Sequence, residues 1–455
     1  MIPLSTREIA DVTGGTASGA DVHVTGVAID SRAVRPRDLF VALPGERTHG
    51  ARFVEAAVAA GAAAVLLERE TLVPGTAVAW SETAVPGTNV SSAPAVRVES
   101  TVAALGAIAA DVRRRSQARV VAITGSTGKT STKDILAALL GARMRTVASA
   151  ANYNNEIGVP LTLCRIELGT EAVVCELGMR GAGQIAYLTD LAAPDVGVIT
   201  SVGPVHLELM GTVEAVAAAK AEILELGPGA AAVVPFAEPL LEPYLAGRAG
   251  RTVTFGEAEG ADVRLVEIGG GRAEIVHRGR TLTVPVSFEQ RHNGVNLAAA
   301  VAACDALAID IDDALLAGAA AAEISRWRGE RLPLPGGGVL IADCYNANPV
   351  SMSAALRDLV AAAGGRRTVA VLGDMAELGD GAEGYHAAVA REVSELGIDE
   401  VIAIGPLSRA YGGTWYPTLD AALDAVPAAI RPGDAVLVKA SRAMGLEAIV
   451  EAVAP

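Results

Sequence analysis

The stretch from Val120 to Leu140, VVAITGSTGKTSTKDILAALL, decides the fold. Val120 to Ile123 read as an apolar strand, a glycine-bearing turn follows, and the residues from Lys129 onward have the spacing of an amphipathic helix. Strand, glycine turn and helix in this order make a phosphate-binding loop. Glycines let backbone N–H groups approach an anion, and the helix start adds its positive dipole end. Lys129 is placed to reach the β- and γ-phosphates of a nucleotide, and the Thr130 hydroxyl to ligate Mg²⁺. The spacing is irregular. The common loop, G-x-x-x-x-G-K-[ST], puts a glycine at position 123, where this chain has Ile123; its glycine comes late, at Gly125. A merely structural strand-to-helix turn is the competing reading.

Composition narrows the field. At 455 residues the chain has room for two to four domains with sizeable cores. A net charge of −15 argues against a general binder of nucleic acid or anionic membranes. A few local arginines can still bind an anionic small substrate. Cys164, Cys175, Cys304 and Cys344 show neither C-x-x-C spacing nor a disulfide framework, which fits a reducing cytoplasm. The opening MIPLSTREIADVTGG lacks the basic and apolar regions of a signal peptide. No uncharged apolar run approaches the roughly 18 residues of a membrane helix. A cytoplasmic protein without membrane insertion is expected.

Three α/β regions follow from the pattern of strands and breakers. Residues 1–98 alternate short β-like runs, turns and a helix, and 71–94 are Pro/Gly/Ser-rich loop. Residues 99–326 alternate strands (EAVVCEL, VGVITSV, AAVVPF) with helices around the phosphate loop, the pattern of a mostly parallel sheet. Residues 327–455 carry further buried strands, each followed by helical sequence, which makes a second, Rossmann-like unit.

Open α/β sheets place their sites at strand ends. Glu176 closes EAVVCE and could hold Mg²⁺ or simply be an exposed acid. His206, in the turn of VGVITSVGPVHLE, is a ligand or a surface hydrogen-bonding residue. Lys220 is more telling. In TVEAVAAAKAEILEL it falls on the stripe of Val213, Val216, Ala217, Ile223 and Leu224. A lysine there must snorkel out, pair with an acid or lose its charge. A neutral amine could add CO₂ to give a carbamate, an anion suited to Mg²⁺.

TGSTGKT, ELGM, SVGPVHLE and AAAKAEI, in this order and spacing, resemble the ATPase core of the Mur ligase family, and the resemblance covers nearly the whole chain. It implies ATP bound by Thr124, Gly125, Ser126, Thr127, Gly128, Lys129 and Thr130. It also implies two Mg²⁺ ions, one held by Thr130 and Glu176, the other with help from His206 and a carbamylated Lys220. Lys129, His206 and Lys220 are then the catalytic candidates. RHNGVNLAAA is similar to the family's H-N-x-x-N element and implicates His292, Asn293 and Asn296 in nucleotide binding. DCYNANPVSM offers Asp343, Tyr345, Asn346 and Asn348 for the ribose and base. An arginine for the γ-phosphate is Arg328 or Arg331, with Arg328 the better aligned.

The N-terminal region resembles the UDP-binding domain of the later peptide-adding members, with Asp30, Ser31 and Arg32 facing the UDP group. The D-N-P-R signature of the diaminopimelate-adding members is missing. ANYNNEIGVPLTL, with Asn152, Asn154 and Asn155 for the UDP-substrate, YNANPVSMSAAL, LGDMAELG and VLVKASRAMGLE instead resemble D-alanyl-D-alanine-adding members. Thr127, Ala151 and Gln184 stand where Asn, Gly and an acid are common. The implied activity joins D-alanyl-D-alanine to UDP-N-acetylmuramoyl-tripeptide through an acyl phosphate, in a monomer. A diaminopimelate- or lysine-adding ligase and a non-catalytic ATP-binding scaffold are the alternatives.

Overall fold

The computed structural model describes residues 1–45, 48–69, 93–225, 227 and 229–454; all but the last two residues of the loop expected at 71–94 lie outside them. The chain forms two compact units. One comprises Met1–Ala122, Met144–Leu177 and Tyr187–Pro194, the other Ile123–Arg143, Gly178–Ala186 and Asp195–Pro455.

In the first unit, helix Thr6–Thr13 starts from a capping box: Glu8 N–H donates to the Ser5 hydroxyl, and Ser5 N–H to the Glu8 carboxylate. Strands Gly26–Ala28, Asp38–Val41, Ala64–Glu68 and Ala95–Val98 pair in parallel, and Thr16–Ser18 closes the edge antiparallel. Ala64 to Leu67 are all apolar because the strand is buried. Phe40, Val54, Ala57, Val65 and Leu67 fill this core. Strand Ala172–Glu176 pairs in parallel with Thr146–Ala148, so Glu176 stands at a carboxyl end.

In the second unit, strands Val196–Ile199, Ala231–Pro235, Thr252–Gly256 and Val263–Gly269 run parallel. The expected parallel order then stops. Val263–Gly269, Arg272–His277 and Arg280–Pro285 form an antiparallel meander. Its two-residue turns, Gly270-Gly271 and Arg278-Gly279, have positive φ at both positions, the geometry whose twist matches hairpin strands. Helix Arg291–Ala306 packs on strands Ala231–Pro235, Thr252–Gly256 and Val263–Gly269 and on helix Lys129–Gly141. A second sheet orders Glu330–Leu334, Gly338–Ala342, Ala435–Lys439, Thr368–Gly373, Glu400–Ile404 and Thr414–Tyr416, parallel except for the first. Apolar clusters on both faces make it doubly wound. The expected α/β class holds. Among the described residues no helix is long and apolar enough to cross a membrane.

Candidate active site

The phosphate loop leaves strand Arg119–Thr124 and enters helix Lys129–Gly141. Ile123, where the common loop has glycine, is fully buried in the strand. The two glycines that matter are Gly125 and Gly128. Gly125 has φ 152°, and a Cβ there would stand 1.9 Å from the Thr200 hydroxyl; Gly128 has φ 82°, and a Cβ would stand 2.4 Å from Asn296 Oδ1. The segment after Val196–Ile199 stitches the loop in place. Thr200 N–H donates to Thr124 O at 2.8 Å, Ser126 N–H to Ser201 O at 2.9 Å, and Thr127 N–H to Ser201 Oγ at 2.8 Å. Lys129 Nζ donates to Gly125 O at 2.6 Å, folding the ammonium over the loop. The Thr124 hydroxyl is buried with no hydrogen-bond partner among the described residues. Close backbone approach, a helix start, a lysine and an orphaned buried hydroxyl suit a nucleotide triphosphate.

Lys220 lies on helix Val213–Ala221 and is only 2 % exposed. Burial, helped by the charge of Lys129, holds its pKa well below the usual lysine range. At that exposure the side chain does not reach solvent, which disfavours snorkelling. His206 has φ 53°, and its Nδ1 meets the Glu377 carboxylate. Burial lowers the His206 pKa and outweighs the opposing pull of Glu377; Lys129 and Lys220 push the same way as burial. Lys129, His206 and Lys220 thus lie within electrostatic reach of one another.

Glu176 is 1 % exposed, not the exposed acid of the bland alternative. Its Oε1 accepts from Asn154 Nδ2 at 2.8 Å, so Asn154, read as a substrate contact, also holds this carboxylate. Asn155 Oδ1 accepts from Gly158 N–H at 2.9 Å, anchoring helix Gly158–Leu163, and Asn152 is exposed. Asp30 caps the short turn Ser31–Ala33 and accepts three hydrogen bonds from the exposed Arg32 guanidinium, which draws the Asp30 pKa to about 2. Gln184 Oε1 accepts from Arg180 N–H at 2.7 Å, the acceptor role a carboxylate would fill.

In the second unit a line of amides runs toward the loop. Gln290 Nε2 donates to Gly329 O at 2.6 Å, Asn293 Nδ2 to Gln290 Oε1 at 3.3 Å, and Asn296 Nδ2 to Asn293 Oδ1 at 3.2 Å. Burial lowers the His292 pKa against the pull of Asp343 and Asp358. Arg331 is committed to Glu289 at 2.7 Å and Asp358 at 2.9 Å. Arg328 stacks 4.0 Å from the Tyr345 ring centroid and keeps a buried Nε without a partner among the described residues. Asn348 is occupied as the N-cap of helix Pro349–Ala363, and Asn346 Oδ1 accepts from Ala347 N–H. Lys439, 1 % exposed, donates to Asp343 Oδ2 at 2.7 Å and Asn346 O at 3.0 Å. Sequence reasoning missed Lys439, Glu377 and Gln290. A lysine ending the buried strand AVLVK was a legible sign of a paired charge.

Among the described residues no three His, Cys, Asp or Glu side chains cluster as a metal site. Mg²⁺ beside a nucleotide needs no such cage, since one or two carboxylates plus phosphate oxygens and water hold it. The four cysteines are buried and free, and burial pushes each thiol up to about 12.

Family models match three stretches: the Mur ligase family catalytic domain at 23–113, the Mur ligase middle domain at 123–304, and the Mur ligase glutamate ligase domain at 327–442. The chain belongs to the Mur ligase family. It is similar to the UDP-N-acetylmuramoyl-tripeptide--D-alanyl-D-alanine ligases of Bacillus subtilis (34 % identical) and Escherichia coli (32 %), with 99 % of this chain and 98 % of each relative covered. Among solved structures, MurF from Acinetobacter baumannii superposes with a TM-score of 0.84 at 27 % identity, covering 99 % of this chain and 98 % of that one. MurF ligase from Thermotoga maritima in complex with ADP gives 0.80 at 28 % identity, covering 94 % and 97 %.

Proposed function

We propose that the protein is an ATP-dependent ligase that adds D-alanyl-D-alanine to UDP-N-acetylmuramoyl-tripeptide in peptidoglycan precursor synthesis. The observation that carries this reading is end-to-end likeness to ligases of that name, at 34 % identity over 99 % of the chain. The phosphate loop with Lys129, His206 and Lys220 within reach supports it.

A carboxylate is a poor electrophile, so the tripeptide's terminal carboxylate first attacks the γ-phosphorus of ATP, releasing ADP. The dipeptide amine then attacks the acyl phosphate, the tetrahedral intermediate expels phosphate, and the amine's proton is lost. Lys129 and the helix start behind Gly128 offset charge on the β- and γ-phosphates as it shifts. Thr130 and Glu176 would be the residues to hold one Mg²⁺, and His206 and Lys220 those to serve a second; Asn154 orients the Glu176 carboxylate. Bound Mg²⁺ supplies charge neutralisation and polarises phosphoryl oxygens. Lys220 acts as a carbamate: its neutral Nζ lone pair forms a bond to the carbon of CO₂, and one N–H proton leaves. Burial that removes the ammonium's charge favours that step.

His292, Asn293 and Asn296 serve the nucleotide. So do Asp343 and Tyr345, while Asn346 and Asn348 shape their loop. Arg328 rather than the committed Arg331 meets the γ-phosphate. Asp30, Ser31, Arg32 and the Asn152–Asn155 segment serve the UDP-substrate. Domains of 1–98, 99–326 and 327–455, a monomer and a cytoplasmic location complete the proposal.

The test is phosphate release and product mass with UDP-tripeptide, ATP and equal D-alanyl-D-alanine, diaminopimelate and lysine. Release that needs both acceptor and dipeptide, with only the dipeptide adduct formed, is expected. Exclusive addition of a single amino acid would replace this specificity, and no turnover with any amine would leave an ATP-binding scaffold.

A further inference from the structure

Glu377 lies beyond the carboxyl end of strand Thr368–Gly373 with φ 63°, and the His206 it meets has φ 53°. Two non-glycine residues in the left-handed region persist only where their surroundings hold them. The surroundings do so here. Glu208 N–H donates to Glu377 O at 3.2 Å, and Met210 N–H to His206 O at 2.9 Å. A Cβ on Gly379 would stand 3.3 Å from the Glu208 backbone, so the two loops are in close contact. The carboxylate is therefore presented to the imidazole by packed backbone rather than by one flexible side chain.

We propose that Glu377 is a positioning residue, whose carboxylate accepts the Nδ1 proton of His206 and leaves the Nε2 lone pair as the metal-binding atom. A histidine's second nitrogen sets which tautomer binds metal, and a carboxylate there also makes the ring more basic. The device joins a turn of one sheet to a loop of the other within the same compact unit. Ion affinity then depends on a residue beyond position 327. The inference rests on the reading of His206 as a Mg²⁺ ligand.

The test uses the full chain with two readouts that do not require turnover. The first is the His206 tautomer by long-range ¹H–¹⁵N NMR. The second is Mn²⁺ affinity with ADP by electron paramagnetic resonance. Glu377→Gly and Glu377→Asn both suit a left-handed backbone and remove the reaching carboxylate, while Glu377→Gln keeps an acceptor oxygen. Wild type and Glu377→Gln should hold the Nδ1–H tautomer. The Gly and Asn variants should release it and bind Mn²⁺ about 10- to 100-fold more weakly, with His206→Ala equally weak. If His206→Ala weakens Mn²⁺ but the Gly and Asn variants keep wild-type tautomer and affinity, Glu377 is only a loop anchor. If His206→Ala itself leaves Mn²⁺ affinity unchanged, the ligand reading fails and the proposal with it.

Discussion

Asn296 lies so close to Gly128 that a Cβ on the glycine would stand 2.4 Å from its Oδ1. Through Asn293 and Gln290 the same amide line reaches Gly329 O. The phosphate loop is therefore shaped from a distant helix as well as from its own glycines. Gly128→Ala meets two obstacles, the φ of 82° and Asn296. Left-handed backbone costs a side-chain residue about 1–2 kcal/mol, so a lower melting temperature and a nucleotide affinity reduced at least tenfold are expected. Adding Asn296→Ala should restore part of the stability but not the affinity. Calorimetry on the single and double variants measures both.

Lys129→Ala should lower kcat by about 10²-fold or more, since one donor at developing charge is worth that much. The fold should survive, because Gly125 O, which accepts from the ammonium at 2.6 Å, is a loop carbonyl that water can satisfy instead. Thr130→Ala should raise the Mg²⁺ concentration needed for half-maximal rate. Near-normal turnover by Lys129→Ala would falsify the phosphate-loop reading.

For Lys220, the expected observation is a ¹³C carbamate resonance when wild-type protein meets labelled bicarbonate, absent in Lys220→Ala. Lys220→Ala and Lys220→Arg should both lose most activity, because a guanidinium cannot take up CO₂ and keeps its charge. Short carboxylic acids should return some rate to the alanine variant only. A Lys220→Arg enzyme as active as wild type contradicts the carbamate.

Arg328 and Arg331 separate by readout. Arg331→Ala strands the buried Asp358, whose pKa burial already raises, and should cost about 1–3 kcal/mol of stability. Arg328→Ala loses a stacked contact with Tyr345 and should leave stability within about 1 kcal/mol while lowering kcat. Urea unfolding beside steady-state kinetics decides between them. The opposite pattern would assign the γ-phosphate to Arg331.

His292 should make stability pH-dependent on the acid side. Its folded pKa lies below the ordinary 6.5 because of burial. Below pH 6.5 the unfolded chain takes up a proton that the folded state refuses, so stability falls with falling pH until the folded pKa is reached. The contribution is at most about 1.4 kcal/mol per pH unit. His292→Gln should flatten the slope of unfolding free energy in that window. An unchanged slope means His292 is protonated when folded.

Ala151 carries φ 43° beside the Asn-rich segment, a conformation that glycine adopts at less cost. Ala151→Gly should raise stability by about 0.5–1 kcal/mol without altering the amine specificity. A drop in melting temperature would show that the surroundings favour the methyl group.

Much was legible because it is local. The strand-turn-helix of residues 120–140, the apolar strand runs and the place of Lys220 on its helix all follow from periods of a few residues, and periodicity survives without tertiary context. The hairpin turns at Gly270-Gly271 and Arg278-Gly279 carried an equally local sign that a parallel-sheet reading passed over. Partnerships were not legible. His206 finds Glu377 across 171 residues, Asp343 finds Lys439 across 96, and Glu176 finds Asn154 across 22. Each joins strand ends or loops that only sheet order brings together. The sequence alone thus marked a phosphate-binding loop and a lysine on a buried stripe, since backbone conformation and burial period are written in neighbouring residues, while the order of its motifs carried the resemblance to the Mur ligases. Only the tertiary structure decided which acid holds which histidine, lysine or amide, because a buried polar group takes whichever partner the packing delivers.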